Sequence, residues 1–205
     1  TIEPDTLIEQ GYGADAIRIM ELFIGPWNQK ANWSVEGMGG SFRFLQRVWN
    51  LALEIAEVWG EDTADATELK RILHRVTKKV SDDLEAMSFN TAIAAMMEAV
   101  NALYALKKEL ALDQAPQAWR AAVQTFAQLL APFAPHITDE MWQRFGNETS
   151  VHISTWPTYD EQYLAADSVT IAVQVNGKLR DQITLALDVT EAQAMEFAQQ
   201  STNVQ

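Results

Sequence analysis

Apolar residues recur every three or four positions over most of the first 150 residues, which is the period of an amphipathic α-helix. The longest such segment, Ser41 to Trp59, leaves only a narrow polar stripe, so it predicts a helix buried over a wide arc. Further helices are predicted at Asp15 to Ile24, Thr67 to Met87, after Phe89 with Asn90 as its N-cap, after Pro116, and at Pro135 to Phe145. Short links between these segments predict an antiparallel helical bundle and a mainly α fold.

The hydrophobic period changes near residue 150. Val169 and the next odd-numbered residues up to Val175 alternate with polar or small residues, which predicts a strand, and a second strand follows residues 176–177. The apolar residues of the second strand are also odd-numbered. We therefore expect a three-residue loop, 175–177, with a G1 bulge at Gly177, rather than a tight two-residue turn. Thr190 fits a capping box that begins a last helix.

These patterns divide the chain into three predicted parts. Residues 1–40 are expected to be a connector, residues 41–150 a helical-bundle domain, and residues 151–205 a partial α+β domain made of a hairpin and a helix. One hairpin and one helix make a thin core, so this last domain is expected to be truncated. The chain begins at Thr1 rather than Met, and we expect a piece of a longer protein.

Composition then excludes several classes of protein. The 205 residues include no Cys, so a disulfide framework, a cysteine nucleophile and a cysteine-ligated metal site are all excluded. No apolar run approaches the ~18 residues that span a bilayer, and no signal peptide is recognisable. We therefore expect a cytoplasmic location and no membrane partner. The formal net charge of −13 argues, as an average, against a nucleic-acid partner.

The cations are nevertheless clustered along the chain. Nine of the 15 Lys and Arg residues lie in short windows without acidic residues: Arg43, Arg47, Lys70, Arg71, Arg75, Lys78, Lys79, Lys178 and Arg180. Arg43 and Arg47 stand near the start of their predicted helix, where the helix dipole disfavours positive charge. This local cost suggests that the two arginines bind an external anion, although a solvated surface explains each cluster taken alone.

Three other groupings are candidate sites of chemistry. The glycine-rich segment 37–40 precedes the predicted helix and could hold a phosphate, but a plain hinge is the simpler interpretation. His136, Asp139 and Glu140 share a helical turn and could ligate a metal, yet no other His is nearby in sequence and structural roles are favoured. Segment 150–154 alternates like a strand and lacks the acid of a catalytic triad. We expect no catalytic residue and no metal site.

Several stretches resemble class I aminoacyl-tRNA synthetases. Glu3-Pro-Asp-Thr-Leu-Ile-Glu9 with Tyr12-Gly-Ala-Asp-Ala-Ile-Arg18 is similar to the segment that follows their KMSKS loop. Trp33, Gly40 and Arg43-Phe-Leu-Gln-Arg-Val-Trp49 resemble the start of their anticodon-binding bundle. Three stretches resemble the bacterial-type leucyl-tRNA synthetases in particular: Met87-Ser-Phe-Asn-Thr-Ala-Ile-Ala-Ala-Met-Met-Glu98, Leu130-Ala-Pro-Phe-Ala-Pro-His-Ile137 through Trp142, and Val173-Gln-Val-Asn-Gly-Lys-Leu-Arg180.

The resemblance implies the C-terminal part of an enzyme that attaches leucine to tRNA(Leu) using ATP. The HIGH and KMSKS signatures are absent here, so the ATP and Mg²⁺ sites are expected in an upstream catalytic domain, and no cofactor is expected in this chain. The resemblance also implies that Arg43, Arg47, Lys178 and Arg180 face tRNA, and the charge pattern adds the run 70–79. The expected partners are tRNA(Leu) and the upstream catalytic domain, with no DNA.

Two other interpretations stay open. The first is the equivalent region of a valine, isoleucine or methionine synthetase. The second is a non-enzymatic helical module that binds protein, for which no salt-dependent RNA binding is expected. An acidic chain can still bind a phosphate backbone locally, and its surplus acid would repel tRNA that docks elsewhere.

Overall fold

The computed structural model describes residues 4–26, 28–30, 35–164, 168–175, 178–186 and 191–200. These residues fall into two compact units, 1–160 and 161–205. The first unit contains α1 (Pro4–Glu9), α2 (Ala14–Phe23), α3 (Val35–Ala56), α4 (Thr67–Glu85), α5 (Phe89–Leu106), α6 (Pro116–Leu130) and α7 (Pro135–Arg144). The second unit contains β1 (Ser168–Val175), β2 (Lys178–Ala186) and α8 (Glu191–Gln200). The predicted mainly α fold is confirmed, and the three predicted domain boundaries stay a prediction.

The core of the first unit is one continuous cluster of buried apolar residues, to which α1 through α7 all contribute. Helices α3, α5 and α6 are examples. Each of these helices carries apolar residues at helical spacing, and burying those residues is what stabilises the bundle. Trp119 of α6 and Met96 of α5 are completely buried, as is Ile55 of α3. Pro116 occupies the first turn of α6, as predicted, because a proline lacks only an N–H that would have no partner there. No described helix is both long and apolar enough to cross a membrane.

Helix α3 begins at Val35, six residues before its predicted start. Segment 37–40 is therefore helical, and both the hinge and the phosphate-loop interpretations of it are wrong. A Cβ atom on Gly37 would lie 2.6 Å from the Met20 sulfur, so a glycine here allows α2 and α3 to approach closely. The earlier start also places Arg43 two turns inside the helix, beyond the reach of the helix dipole. The predicted dipole cost at Arg43 and Arg47 is therefore wrong.

The link between α4 and α5 reverses the chain in three residues. The Ser88 N–H donates to the Asp83 carbonyl at 2.7 Å, and the Met87 N–H donates to the Leu84 carbonyl at 3.1 Å. This pair of bonds is a Schellman motif, and it places Met87 in the left-handed region with φ of 54°. The predicted N-cap of α5, Asn90, is wrong, because α5 begins at Phe89 and Ser88 occupies the N-cap position.

The hairpin of the second unit has its bulge in the strand β2, whereas the sequence predicted a bulge in the loop. Val175 pairs with Lys178, so the loop has two residues rather than three, and the conformation of Gly177 lies outside the described residues. The pairing then shifts between Val173 and Gln174, which leaves Arg180 as a bulge inside β2. Beyond the bulge, odd-numbered residues of β1 pair with odd-numbered residues of β2. The apolar residues of the two strands therefore lie on the same side of the hairpin, as predicted from their numbering. The capping role of Thr190 also lies outside the described residues.

We predict that Met87→Gly stabilises the first unit by about 1 kcal/mol, because glycine adopts positive φ without the steric cost that a side chain incurs. Urea unfolding at equilibrium measures this change. Ala86→Gly is the matched control, because Ala86 has φ of −82° and gains nothing from glycine. A Met87→Gly variant no more stable than the parent would show that the positive φ of Met87 costs nothing.

Candidate nucleic-acid interface

Arg47 is held in a fixed orientation between α3 and α5. Its Nη1 donates to Asn101 Oδ1 at 2.6 Å, and its guanidinium lies 4.7 Å from the centre of the Tyr104 ring. The Tyr104 hydroxyl donates to the Arg47 carbonyl at 3.0 Å, which fixes the ring in turn. An arginine that is already ordered loses little side-chain entropy when it binds an anion.

Arg43 lies one turn before Arg47 on α3, and its side chain is exposed. Its Nη1 lies beside Gly39, where an added Cβ would approach it to 3.2 Å. Within the described part of the chain, Arg43 forms no ion pair. Arg43 and Arg47 therefore place two positive charges on the same side of α3, four residues apart.

The five cations predicted between residues 70 and 79 of α4 divide into three that form ion pairs and two that form none among the described residues. Arg71 pairs with Glu68 at 3.6 Å, Lys78 pairs with Asp82, and Lys79 binds both oxygens of Asp83 at 2.6 and 2.7 Å. Lys70 and Arg75 are exposed and form no ion pair among the described residues. The window 70–79 contains no acid in sequence, but acids four residues further along lie on the same helical face.

The segment 154–160 lies along α4. The Trp156 Nε1–H donates to Ser81 Oγ at 2.9 Å, the Tyr159 ring lies 5.5 Å from Lys78 Nζ, and the Asp160 N–H donates to His74 Nδ1 at 3.0 Å. These contacts place the segment antiparallel to α4, over the face that carries positions 74, 78 and 81. Nothing in the hydrophobic pattern indicated this arrangement.

The opposite edge of α4 borders a groove of about 270 Å³. Ile72, Val76, Ala95, Ala99 and Ala102 form its apolar part, and Arg75, Lys79 and Glu98 are its charged residues. The residues that line the groove are spaced three or four positions apart, so they form one stripe along α4 and one stripe along α5.

The exposed side of α5 lies between the two groups of cations. Arg47 touches Asn101 and Tyr104 on one flank of this side, and Arg75 and Lys79 border the groove on the other. Cations on two helices that flank a third can contact a phosphate backbone at several points. Of the nine predicted residues, Arg43 and Arg47 lie on α3 and Arg75 and Lys79 lie on α4, and both of these helices contact α5.

Lys178 and Arg180 belong to the second unit, where only their backbone positions are described. Lys178 is the first residue of β2 and faces Val175 across the ladder, and Arg180 is the bulge residue. Their role in contacting tRNA stays a prediction.

Two motifs that are separate in sequence bind each other in the structure. The Asp15 carboxylate, 7% exposed, accepts the Ile137 N–H at 2.7 Å, and its other oxygen lies 2.8 Å from His136 Nδ1. One turn later, Arg18 donates to the Phe133 and Pro132 carbonyls at 3.2 and 3.0 Å. A negative charge thus lies at the start of α7, and a positive charge lies just beyond the end of α6.

This contact assigns His136 a structural partner. Asp139 accepts bonds from the Ser150 hydroxyl at 2.7 Å and from the Val151 N–H at 3.0 Å. The Ser150 hydroxyl bond is the main reason why the pKa of Asp139 lies below its ordinary value. Glu140 pairs with Arg144. Each of the three side chains at 136, 139 and 140 thus has a partner in the first unit, and the absence of a metal site there stays a prediction.

Segment 150–154 is not a strand. It forms a 3₁₀ turn at Val151–Ile153, and Ser150 caps this turn by accepting the His152 N–H at 3.3 Å. The prediction of a strand was wrong because two alternations of apolar and polar residues also fit a single tight turn.

An apolar cavity of about 390 Å³ was not indicated by any sequence motif. It lies beside Asp15, between the starts of α2 and α7, and Phe42 and Trp49 of α3 contribute aromatic walls. None of the nine Lys and Arg residues predicted to bind tRNA is among the described residues that line this cavity.

Comparisons with known proteins agree on one family. A family model described as the anticodon-binding domain of tRNA ligase matches residues 67–195, more than half of the chain. The leucine–tRNA ligase of Dehalococcoides mccartyi is 41% identical over 99% of this chain, and that of Herpetosiphon aurantiacus is 43% identical over 93%. The chain spans about a quarter of the length of these relatives, 25% and 23%.

A solved structure is similar throughout. It is the ternary complex of Agrobacterium radiobacter K84 agnB2 LeuRS with tRNA and LeuAMS. The TM-score is 0.74 at 30% sequence identity, and the match covers 99% of this chain and 27% of the other.

We predict that Asp15→Ala lowers the free energy of unfolding of the first unit by about 2 kcal/mol, because the part-buried N–H groups at the start of α7 lose a charged acceptor. Urea unfolding measures the change. Glu21→Ala, on the exposed side of the same helix, is the control. Equal stabilities for the two variants would show that the Asp15 bonds contribute nothing.

We also predict that His74 makes the bundle less stable in mild acid. Burial lowers the pKa of His74 below its ordinary value of 6.5, Asp160 opposes this effect, and Lys70 adds to it. The unfolded chain therefore binds the proton more readily, and stability falls as the pH drops through 6.5 towards the folded pKa. His74→Gln keeps an acceptor for the Asp160 N–H and should flatten this part of the curve of unfolding free energy against pH. An unchanged curve would contradict this role of His74.

Proposed function

Because the chain belongs to the anticodon-binding domain family of tRNA ligases, we propose that it is the tRNA-binding, C-terminal portion of a leucine–tRNA ligase. In this proposal, the whole enzyme attaches leucine to tRNA(Leu) using ATP. The identity of 41% over nearly the whole chain to a leucine–tRNA ligase supports leucine rather than valine, isoleucine or methionine.

The observation that carries the proposal is the placement of cations around α5. Arg43 and Arg47 of α3 lie on one flank, and Arg75 and Lys79 of α4 lie on the other. Arg43 and Arg75 form no ion pair among the described residues. Side chains of this kind position a nucleic acid through its phosphates and carry no sequence information by themselves. The proposed role of this chain is therefore to orient tRNA so that its 3′ end reaches a distant catalytic domain.

The chemistry of aminoacylation belongs to the rest of the enzyme in this proposal. ATP and Mg²⁺ would bind in the catalytic domain of the same polypeptide, and this chain would contribute affinity and geometry. The net charge of −13 assists orientation, since acidic surface around the cationic one repels tRNA that approaches in other ways. A cytoplasmic location is consistent with this role.

The test measures the affinity of the full-length ligase for a tRNA(Leu) transcript at several salt concentrations. We expect the logarithm of the binding constant to fall linearly with the logarithm of salt concentration. Replacing both Arg43 and Arg75 with Gln should weaken binding and reduce the slope by about 1 for each phosphate that the variant no longer neutralises. Replacing Lys178 and Arg180 together should also reduce the slope.

Lys30→Gln is the matched control, because Lys30 is exposed and lies outside the cationic windows. It also removes a positive charge, and it should leave the slope unchanged. Binding that does not depend on salt, or equal effects of all the variants, would refute the proposed function and favour the helical module that binds protein.

A further inference from the structure

We propose that the groove between α4 and α5 holds one unpaired nucleotide of the tRNA, and that the Glu98 carboxylate selects its base. This inference rests on the proposed function and deepens it. Phosphate contacts would give affinity, whereas this groove would give a preference for a particular base at one position.

The shape of the groove suits a single base. Ile72 of α4 and Ala95 and Ala102 of α5 are half-buried and form the accessible apolar surface of the groove, while Val76 and Ala99 are buried. The small alanine side chains keep this surface open. Its volume of about 270 Å³ is below the usual range for a drug-sized ligand. A duplex presents its bases stacked and paired, so a groove of this kind takes only a base that is splayed out of a loop, a bulge or an end.

The cations of the groove suit the phosphate of that nucleotide. Arg75 and Lys79 stand one helical turn apart on the α4 side. Arg75 is exposed and forms no ion pair within the described residues, while Lys79 is held by Asp83. A planar guanidinium can contact a phosphate through two N–H groups or stack on a base.

Glu98 is the feature that a simple phosphate-binding surface does not explain. It is exposed in the same groove as the two cations, and yet it pairs with neither of them among the described contacts. A carboxylate beside a bound polyanion costs binding energy through repulsion unless it accepts a hydrogen bond from the ligand. Base amino groups provide such donors, and guanine offers two adjacent N–H groups to one carboxylate, whereas uracil offers no amino group.

The experiment compares Glu98→Gln with Glu109→Gln in the full-length ligase, using a tRNA(Leu) transcript at fixed salt. Both residues are exposed, and both changes remove one negative charge. If Glu98 accepts a base amino group, its Gln variant binds the transcript about tenfold more weakly, as expected for one charged hydrogen bond. Glu109→Gln should bind as tightly as the parent or slightly more tightly.

A second measurement identifies the base. Each unpaired guanosine of the transcript is replaced in turn by inosine, which lacks the 2-amino group. One replacement should weaken binding to the parent enzyme and have no effect on binding to a Glu98→Ala variant, which has no acceptor at this position.

The outcomes separate this inference from the proposed function. If Arg43 and Arg75 control the salt slope but Glu98→Gln binds as well as Glu109→Gln or better, the groove does not read a base and the inference fails alone. An inosine effect that persists in Glu98→Ala likewise overturns it. If the parent enzyme shows no salt-dependent binding at all, the proposed function fails first.

Discussion

One turn of α2 holds the corner between α6 and α7. Asp15 accepts the N–H groups at the start of α7, and Arg18 donates to the carbonyl groups that follow α6. A carboxylate and a guanidinium three residues apart thus satisfy the backbone groups that two helix ends leave without partners. Asp15 is buried, so water cannot replace its carboxylate at low cost, whereas the bond from Arg18 to Pro132 is exposed. The direction of α7 and the contact of α2 with the bundle therefore depend on the same pair.

Helix packing that starts from this corner also positions the cations of α3 and α4. With α2 fixed, Gly37 allows α3 to lie close to it, and α3 then presents Arg43 and Arg47 beside α5. On the other flank, α4 is held to α5 by the three-residue link that Met87 closes. The segment 154–160 lies over another face of α4, so the groove face keeps Arg75 and Lys79 at the surface. The cations that are proposed to contact tRNA are thus positioned by groups that take no part in the proposed contact.

Much of this fold could be predicted from sequence because helical hydrophobic periods are long and regular. The predictions failed where one residue decides the outcome. Nothing in the period shows that residues 37–40 are helical, since glycines usually end helices and only the contact with Met20 explains them. The absence of acidic residues from the window 70–79 was misleading, because residues three or four positions apart are neighbours on a helix surface. Arg71, Lys78 and Lys79 therefore pair with acids that lie just outside the window. Glu98 and the groove were missed altogether, since their meaning depends on which helix lies beside α5.

The two apolar sets of the hairpin share a side only if one strand or the loop contains one extra residue, and here that residue is Arg180 in β2. An evolving lineage can place that residue in the loop or in the strand without changing which side chains share a face. Insertions at the turn and deletions in β2 should therefore occur in compensating pairs among related chains. A lone change of either kind would turn one apolar face of the hairpin outward.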